Sequence, residues 1–277
     1  MHEILAQLRP GQRVLDLGSA GGSFDAAGAA YVAIRADLDR PPRPAADFAQ
    51  ADAARLPFAD AAFDAVISNH SLEHFEDLAG SLAEIGRVLK PTGALYIGVP
   101  DASTFCDRLY RWLARGGGHV NAFTSPEELA AKIERATQLP HVATRTLFAS
   151  LSYLNRRNGG VAGPRRTLLV GGGTELSLRL YNYFARLNDR FFGTRLSVYG
   201  WALYFGSFAD PIDTAIWTNV CIRCGAAASS EWLRGQSAFC RRSFIRVYRC
   251  PSCGTSNVFS EDRQYDHLRA SEAKIVP

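Results

Sequence analysis

"VLDLGSAGGSF", Val14 to Phe24, decides the fold. An apolar strand runs into an acid, Asp16, and then into a turn of glycine, serine and alanine that opens a small-residue helix. A strand, an acid and a glycine turn in that order form the generic nucleotide site of a parallel sheet. A phosphate-loop ATPase needs Gly-Lys-Ser/Thr at the end of such a loop, and no lysine stands here. A nicotinamide fingerprint needs its third glycine inside the helix, where this chain has Ser23. Residues this small let backbone approach a ligand closely, and a helix N-terminus favours a ligand carboxylate.

Outward from that turn, strands and helices alternate over the first hundred residues. "AAYVAIRAD" reads as a second strand, stopped by the prolines of "DRPPRP"; "DFAQAD" reads as a short third strand and "AFDAVISN" as a fourth. Leu78, Leu82, Ile85 and Leu89 fall at helical spacing, and "PTGALYIGVP" is a turn leading into a fifth strand. Such alternation implies a parallel sheet covered on both faces. Further on, Ser125 caps a helix with Pro126 at its first position, and "HVATRTLFASLSYL" reads as a sixth strand running on into a helix. "ELSLRLYNYFARLNDRFFG" is an amphipathic helix ending at Gly193, and "LSVYGWALYFGSF" is the last strand.

The turn and the segments after it resemble the class I S-adenosylmethionine-dependent methyltransferases, of the type 11-like domain. "VLDLGSAGG" stands for their D-x-G-x-G-x-G motif, with Ala20 in place of the central glycine. "ADAARLPFADAAFDAVISNHSLEHFEDLAGSLAEIGRVLKPTGALYIGVP" matches their later motifs in order, so the likeness covers residues 10–100 closely and the next forty loosely. It implies that the turn holds the methionine end of a sulfonium donor, with no phosphate involved. By the same resemblance Asp16, Gly18, Ser19, Ala20, Gly21 and Gly22 form the donor turn, and Asp37, with Asp39 as a rival, meets the ribose hydroxyls. Asp52 and Ala53 meet the adenine, while Ser68 and Asn69 leave the fourth strand at the edge of the site.

Methyl transfer is an in-line displacement at an activated carbon, so the enzyme mainly aligns the reactants and excludes water. A hydroxyl or amine acceptor can also need a base. "GGGHVNAFTSPEEL" resembles a His-x-x-x-Phe-Thr segment of small-molecule methyltransferases, which makes His119 the first candidate for base or acceptor contact. His70, Glu73 and His74 are spaced like one helical turn. Ubiquinone-pathway enzymes of the family carry a cation-linked Glu-x-x-Glu-His there, but His70 replaces the first Glu. The alternative is that Glu73 and His74 fasten the fourth strand to its helix, with His70 facing acceptor or solvent.

The second half carries different chemistry. "CIRCGA" and "CPSCGT" are two C-x-x-C-Gly knuckles separated by 25 residues. Cys221, Cys224, Cys250 and Cys253 suit one tetrahedral zinc in a closed, structural site, with iron as in rubredoxins the lesser alternative. Cys106 and Cys240 are left over as structural cysteines. Residues 1–100 hold 8 Lys/Arg against 13 Asp/Glu, whereas residues 145–277 hold 18 against 9. Arginines and aromatics crowd between the knuckles, so RNA is a possible partner.

The expected architecture is therefore α/β: a doubly wound, mostly parallel, seven-stranded Rossmann-like sheet over residues 1–210, with a basic helical insertion at 145–195. A zinc-ribbon module and tail follow at 211–277. Neither a secretory signal nor a membrane-spanning run is legible, so a cytoplasmic location is expected. The expected activity is transfer of a methyl group from S-adenosyl-L-methionine to oxygen or nitrogen of a small molecule such as a sugar, a lipid-linked compound or a secondary metabolite. An RNA methyltransferase and a non-catalytic donor-binding regulator are the alternatives.

Overall fold

The computed structural model of the chain describes residues 1–18, 22–42, 47–114, 118–148, 151–158, 171–212, 217–236, 238–239 and 245–260. The described helices are α1 (His2–Gln7), α2 (Leu78–Val88), α3 (Phe105–Leu113), α4 (Pro126–Thr137), α5 (Glu175–Phe192) and α6 (Ser230–Gln236). The strands are β1 (Arg13–Leu17), β2 (Val32–Asp37), β3 (Phe48–Gln50), β4 (Phe63–Asn69), β5 (Leu89–Pro100), β6 (His141–Phe148) and β7 (Val198–Gly206). They are followed by β8 (Trp217–Val220), β9 (Ala227–Ser229), β10 (Ala238–Phe239), β11 (Ile245–Arg249) and β12 (Ser256–Ser260).

Two compact units share the chain. The first comprises Met1–Asp101, Gly118–Thr144 and Trp201–Ile212. Its strands lie in the order β3-β2-β1-β4-β5-β7-β6, with β1 to β5 paired in parallel as the alternation predicts. β1 is buried from Val14 to Leu17 because both of its faces are covered, and its register sets Asp16 opposite Arg35. α2 turns Leu82 and Ile85 to the core, and it passes so close to α4 that a side chain on Gly86 would meet the Thr137 backbone. Arg87 at the end of α2 binds Glu84 and Asp60 and donates to the carbonyls of Leu56 and Phe58, which pins the Leu-Pro-Phe turn behind Asp52.

One expectation fails here. Among the described residues no helix follows β1; residues 22–31 are turns, bends and irregular backbone. Asp16 accepts the Ser23 N–H, the Asp25 carboxylate accepts that of Ala27, and Gly28 sits at φ 74°, so local side-chain bonds displace helical ones. The alanine-rich stretch also lacks an apolar face to hold a helix against the sheet.

The second unit comprises Ala102–Gly117, Arg145–Gly200 and Asp213–Pro277. Its part of β6 pairs in parallel with β8, which pairs antiparallel with β9. β10, β11 and β12 form a separate antiparallel sheet. Cys106, Leu151, Leu154, Leu178 and Ile222 make one core of this unit, and Leu233, Tyr248 and Phe259 another.

Candidate active site

Parallel pairing brings the C-terminal ends of β1, β2, β3 and β4 to one edge of the first unit's sheet, where open α/β sheets bind ligands. Asp16 is fully buried there; its carboxylate accepts the Ser23 N–H at 2.8 Å and lies 3.8 Å from the Arg35 guanidinium. Gly18 follows at φ 70°, with its N–H on the Ala36 carbonyl, and a Cβ on it would run into the Ser71 side chain. Gly22, at φ 108°, leaves no room for a Cβ beside the Arg35 guanidinium. Both glycines are thus required by the geometry, and the acid they flank is charge-balanced from β2. Ser19, Ala20 and Gly21 lie outside the described residues.

The other expected donor contacts sit around that turn. Asp37 closes β2 half-buried and accepts the Asp39 N–H at 3.0 Å, while Asp39 is exposed. Asp52 is exposed and turns its carboxylate to the Ala54 N–H, with Ala53 buried behind it. Ser68 is buried, its hydroxyl 2.5 Å from that of Ser71, which also donates to the Leu17 carbonyl at the base of the turn. Asn69 accepts the Tyr96 hydroxyl at 3.4 Å. Buried acid, glycine cradle and strand-end polar groups together fit S-adenosylmethionine.

The histidines converge. His70, at φ 57°, is held by its N–H on the Gly98 carbonyl, and its Nδ1 lies 3.8 Å from the Glu73 carboxylate. Glu73 is buried, and its carbonyl accepts the N–H groups of Val120 and Asn121 at 2.8 and 3.0 Å. The Asn121 amide donates to the carbonyls of Leu72 and Phe75. These bonds draw the "HVNAF" segment onto the turn after β4 and set the His119 ring edge-on to His74, with centroids 4.8 Å apart. His74 Nδ1 lies 3.0 Å from the Gly118 carbonyl, which can only accept, so His74 carries its proton on Nδ1. Burial, then the neighbouring His119 and His74, pushes the His70 imidazole down to about 4. One ligating atom each from Glu73, His74 and His119 fall within 4.8 Å of one another, a possible three-ligand cation site. Arg35, Ser71 and Asn121 carry no motif signal; only the strand register and the loop closure reveal them.

In the second unit, the four knuckle sulfurs also lie within 4.8 Å of one another, with Cys221–Cys253 and Cys224–Cys250 each 3.6 Å apart. A zinc tetrahedron with arms of about 2.3 Å has edges of about 3.8 Å, which these distances match. Gly225 and Gly254, at φ 73° and 72°, close the two knuckles, and Asn257 and the Arg223 N–H point at the Cys221 sulfur. Burial pushes the Cys106 thiol up to about 12, which leaves it unreactive. Cys240 lies outside the described residues.

A methyltransferase-domain family model matches residues 15–97. Protein YafE of Escherichia coli K12 is 32% identical over 52% of this chain and 70% of its own length. The malonyl-[acyl-carrier protein] O-methyltransferase of Methylococcus capsulatus is 33% identical over 57% of this chain and 67% of its own. The demethylmenaquinone methyltransferase of Renibacterium salmoninarum is 38% identical over 35% of this chain, which spans only 44% of that relative. The chain belongs to the class I S-adenosylmethionine-dependent methyltransferases and is an enzyme of that class.

Proposed function

We propose that this methyltransferase acts on an oxygen or nitrogen of a small molecule, with His119 as the base or acceptor contact. The observation that carries this reading is the convergence of His70, Glu73, His74 and His119 beside Ser68 and Asn69. Relatives named for demethylmenaquinone and malonyl-[acyl-carrier protein] support an acceptor other than RNA. When bound, S-adenosylmethionine supplies a methyl group on positively charged sulfur. Asp16 and the glycine turn hold its amino-acid end, Asp37 its ribose and Asp52 with Ala53 its adenine. A base that titrates near 4 is weak at neutral pH, so His70 stays neutral and positions the acceptor. His74, its Nδ1 proton committed to Gly118, braces the His119 loop and leaves the acceptor proton to His119.

The four cysteines hold a structural zinc in the same proposal, because four thiolates leave no open coordination position.

The test incubates the purified chain and methyl-tritiated donor with cell extract, then separates RNA, protein and small-molecule or lipid fractions. Label in the small-molecule or lipid fraction, with His119→Gln lowering kcat on the isolated acceptor by at least about tenfold, is expected. Label confined to RNA or protein overturns the reading.

A further inference from the structure

Helix α5 buries polar groups beside apolar ones: with Leu178 and Ala185, Asn182, Arg186 and Asp189 line its inner side, these three at most 1% exposed. Arg186 donates to Asn219 at 2.8 Å and stacks 4.2 Å over the Phe148 ring. Asp189 accepts from Thr194, from the Leu196 N–H and from both the N–H and hydroxyl of Ser197. On the opposite side, Leu176, Leu180, Phe184 and Phe191 recur at helical spacing, and with Phe192 they stand 48–77% exposed. The neighbouring helix α3, in contact through the stacked Phe105 and Tyr181, turns Phe105 and Trp112 outward seven residues apart. Most of the large apolar side chains exposed among the described residues therefore stand on these two helices.

Among the described residues of these two helices and the turn after α5, the exposed charged side chains are arginines. Arg108, Arg190 and Arg195 are exposed and Arg179 is half-buried. The acids of the two helices face elsewhere or are engaged: Asp107 is buried against Arg111, Asp189 is buried, and Glu175 lies between Arg157 and Arg223. An apolar helix face with leucine, phenylalanine and tryptophan, bordered by arginine, is the pattern of a helix that lies in the interface of an anionic bilayer. A second copy of the chain is disfavoured as the occupant, because two identical arginine borders would confront each other.

We propose that the second unit docks the enzyme on an anionic lipid surface through the apolar faces of α5 and α3. The inference does not depend on the acceptor. It is tested by sedimenting the full chain with vesicles of phosphatidylcholine alone or mixed with phosphatidylglycerol. Binding to the anionic vesicles is expected, weakened by salt and reduced at least about tenfold by Phe184→Asp combined with Phe191→Asp. Val32→Asp, which removes an exposed apolar residue of the first unit, leaves binding unchanged. Brominated lipid is expected to quench part of the tryptophan fluorescence, and Trp112→Phe removes that part. Equal failure to bind either vesicle, or wild-type binding by the double aspartate variant, overturns the proposal. So does a concentration-dependent dimer, abolished by the same variant, in a chain that ignores vesicles.

Discussion

At the scale of single residues, Gly18 and His70 occupy backbone conformations that most side chains avoid, and each makes a separate prediction. Gly18→Ala places a methyl group against Ser71 at φ 70°; a destabilisation of about 1–3 kcal/mol is expected in urea unfolding, with loss of donor binding in titration calorimetry. Asp16→Asn keeps the shape but removes the charge opposite Arg35, so donor affinity is expected to fall at least about tenfold. His70 titrates near 4 folded against 6.5 ordinarily, so the unfolded chain binds more protons between those values. The contribution is complete above about pH 6.5 and is lost as pH falls toward 4. His70→Asn, which tolerates the left-handed backbone, is expected to abolish on the order of 2–3 kcal/mol of that acid sensitivity in unfolding curves compared across the window. Asp16 was legible because an acid interrupts an apolar strand just before glycine. Arg35 was not, because only the parallel register brings it opposite.

At the scale of elements, strand boundaries followed the apolar runs closely, as β1 and β4 show, since a strand covered on both faces needs an unbroken apolar segment. The small-residue helix expected after β1 did not form among the described residues, and α3 stands outside the expected elements although Thr104 and Asp107 mark its start. α5 began and ended where its Thr174 cap and Gly193 stop require, yet it buries Asn182, Arg186 and Asp189 and leaves Leu180, Phe184 and Phe191 exposed. Its two faces therefore respond oppositely to substitution. Asp189→Ala strands several buried donors and is expected to cost about 2–4 kcal/mol, while Phe184→Ser is expected to stay within about 0.5 kcal/mol; chemical denaturation of both variants checks the contrast.

At the scale of the whole molecule, a donor-binding sheet and a basic, cysteine-bearing unit share one chain, and no described helix is long and apolar enough to cross a membrane. Metal analysis is expected to return about one zinc per chain, and stripping it with a chelator should lower the melting temperature. Cys250→Ser should lose the metal and show the same lowered melting temperature without chelator. By itself the sequence determined the strand, the buried acid before the glycine turn and the two cysteine knuckles, because each is written in adjacent residues whose spacing already implies their geometry. Tertiary structure alone decided which groups meet across long separations: Arg35 with Asp16, His119 with His74, and Arg186 with Asn219. It also decided which side of α5 faces inward. Helical periodicity shows that two faces differ, but the partners supplied by β6, β8 and the 194–197 loop determine that the face carrying Asn182, Arg186 and Asp189 is buried.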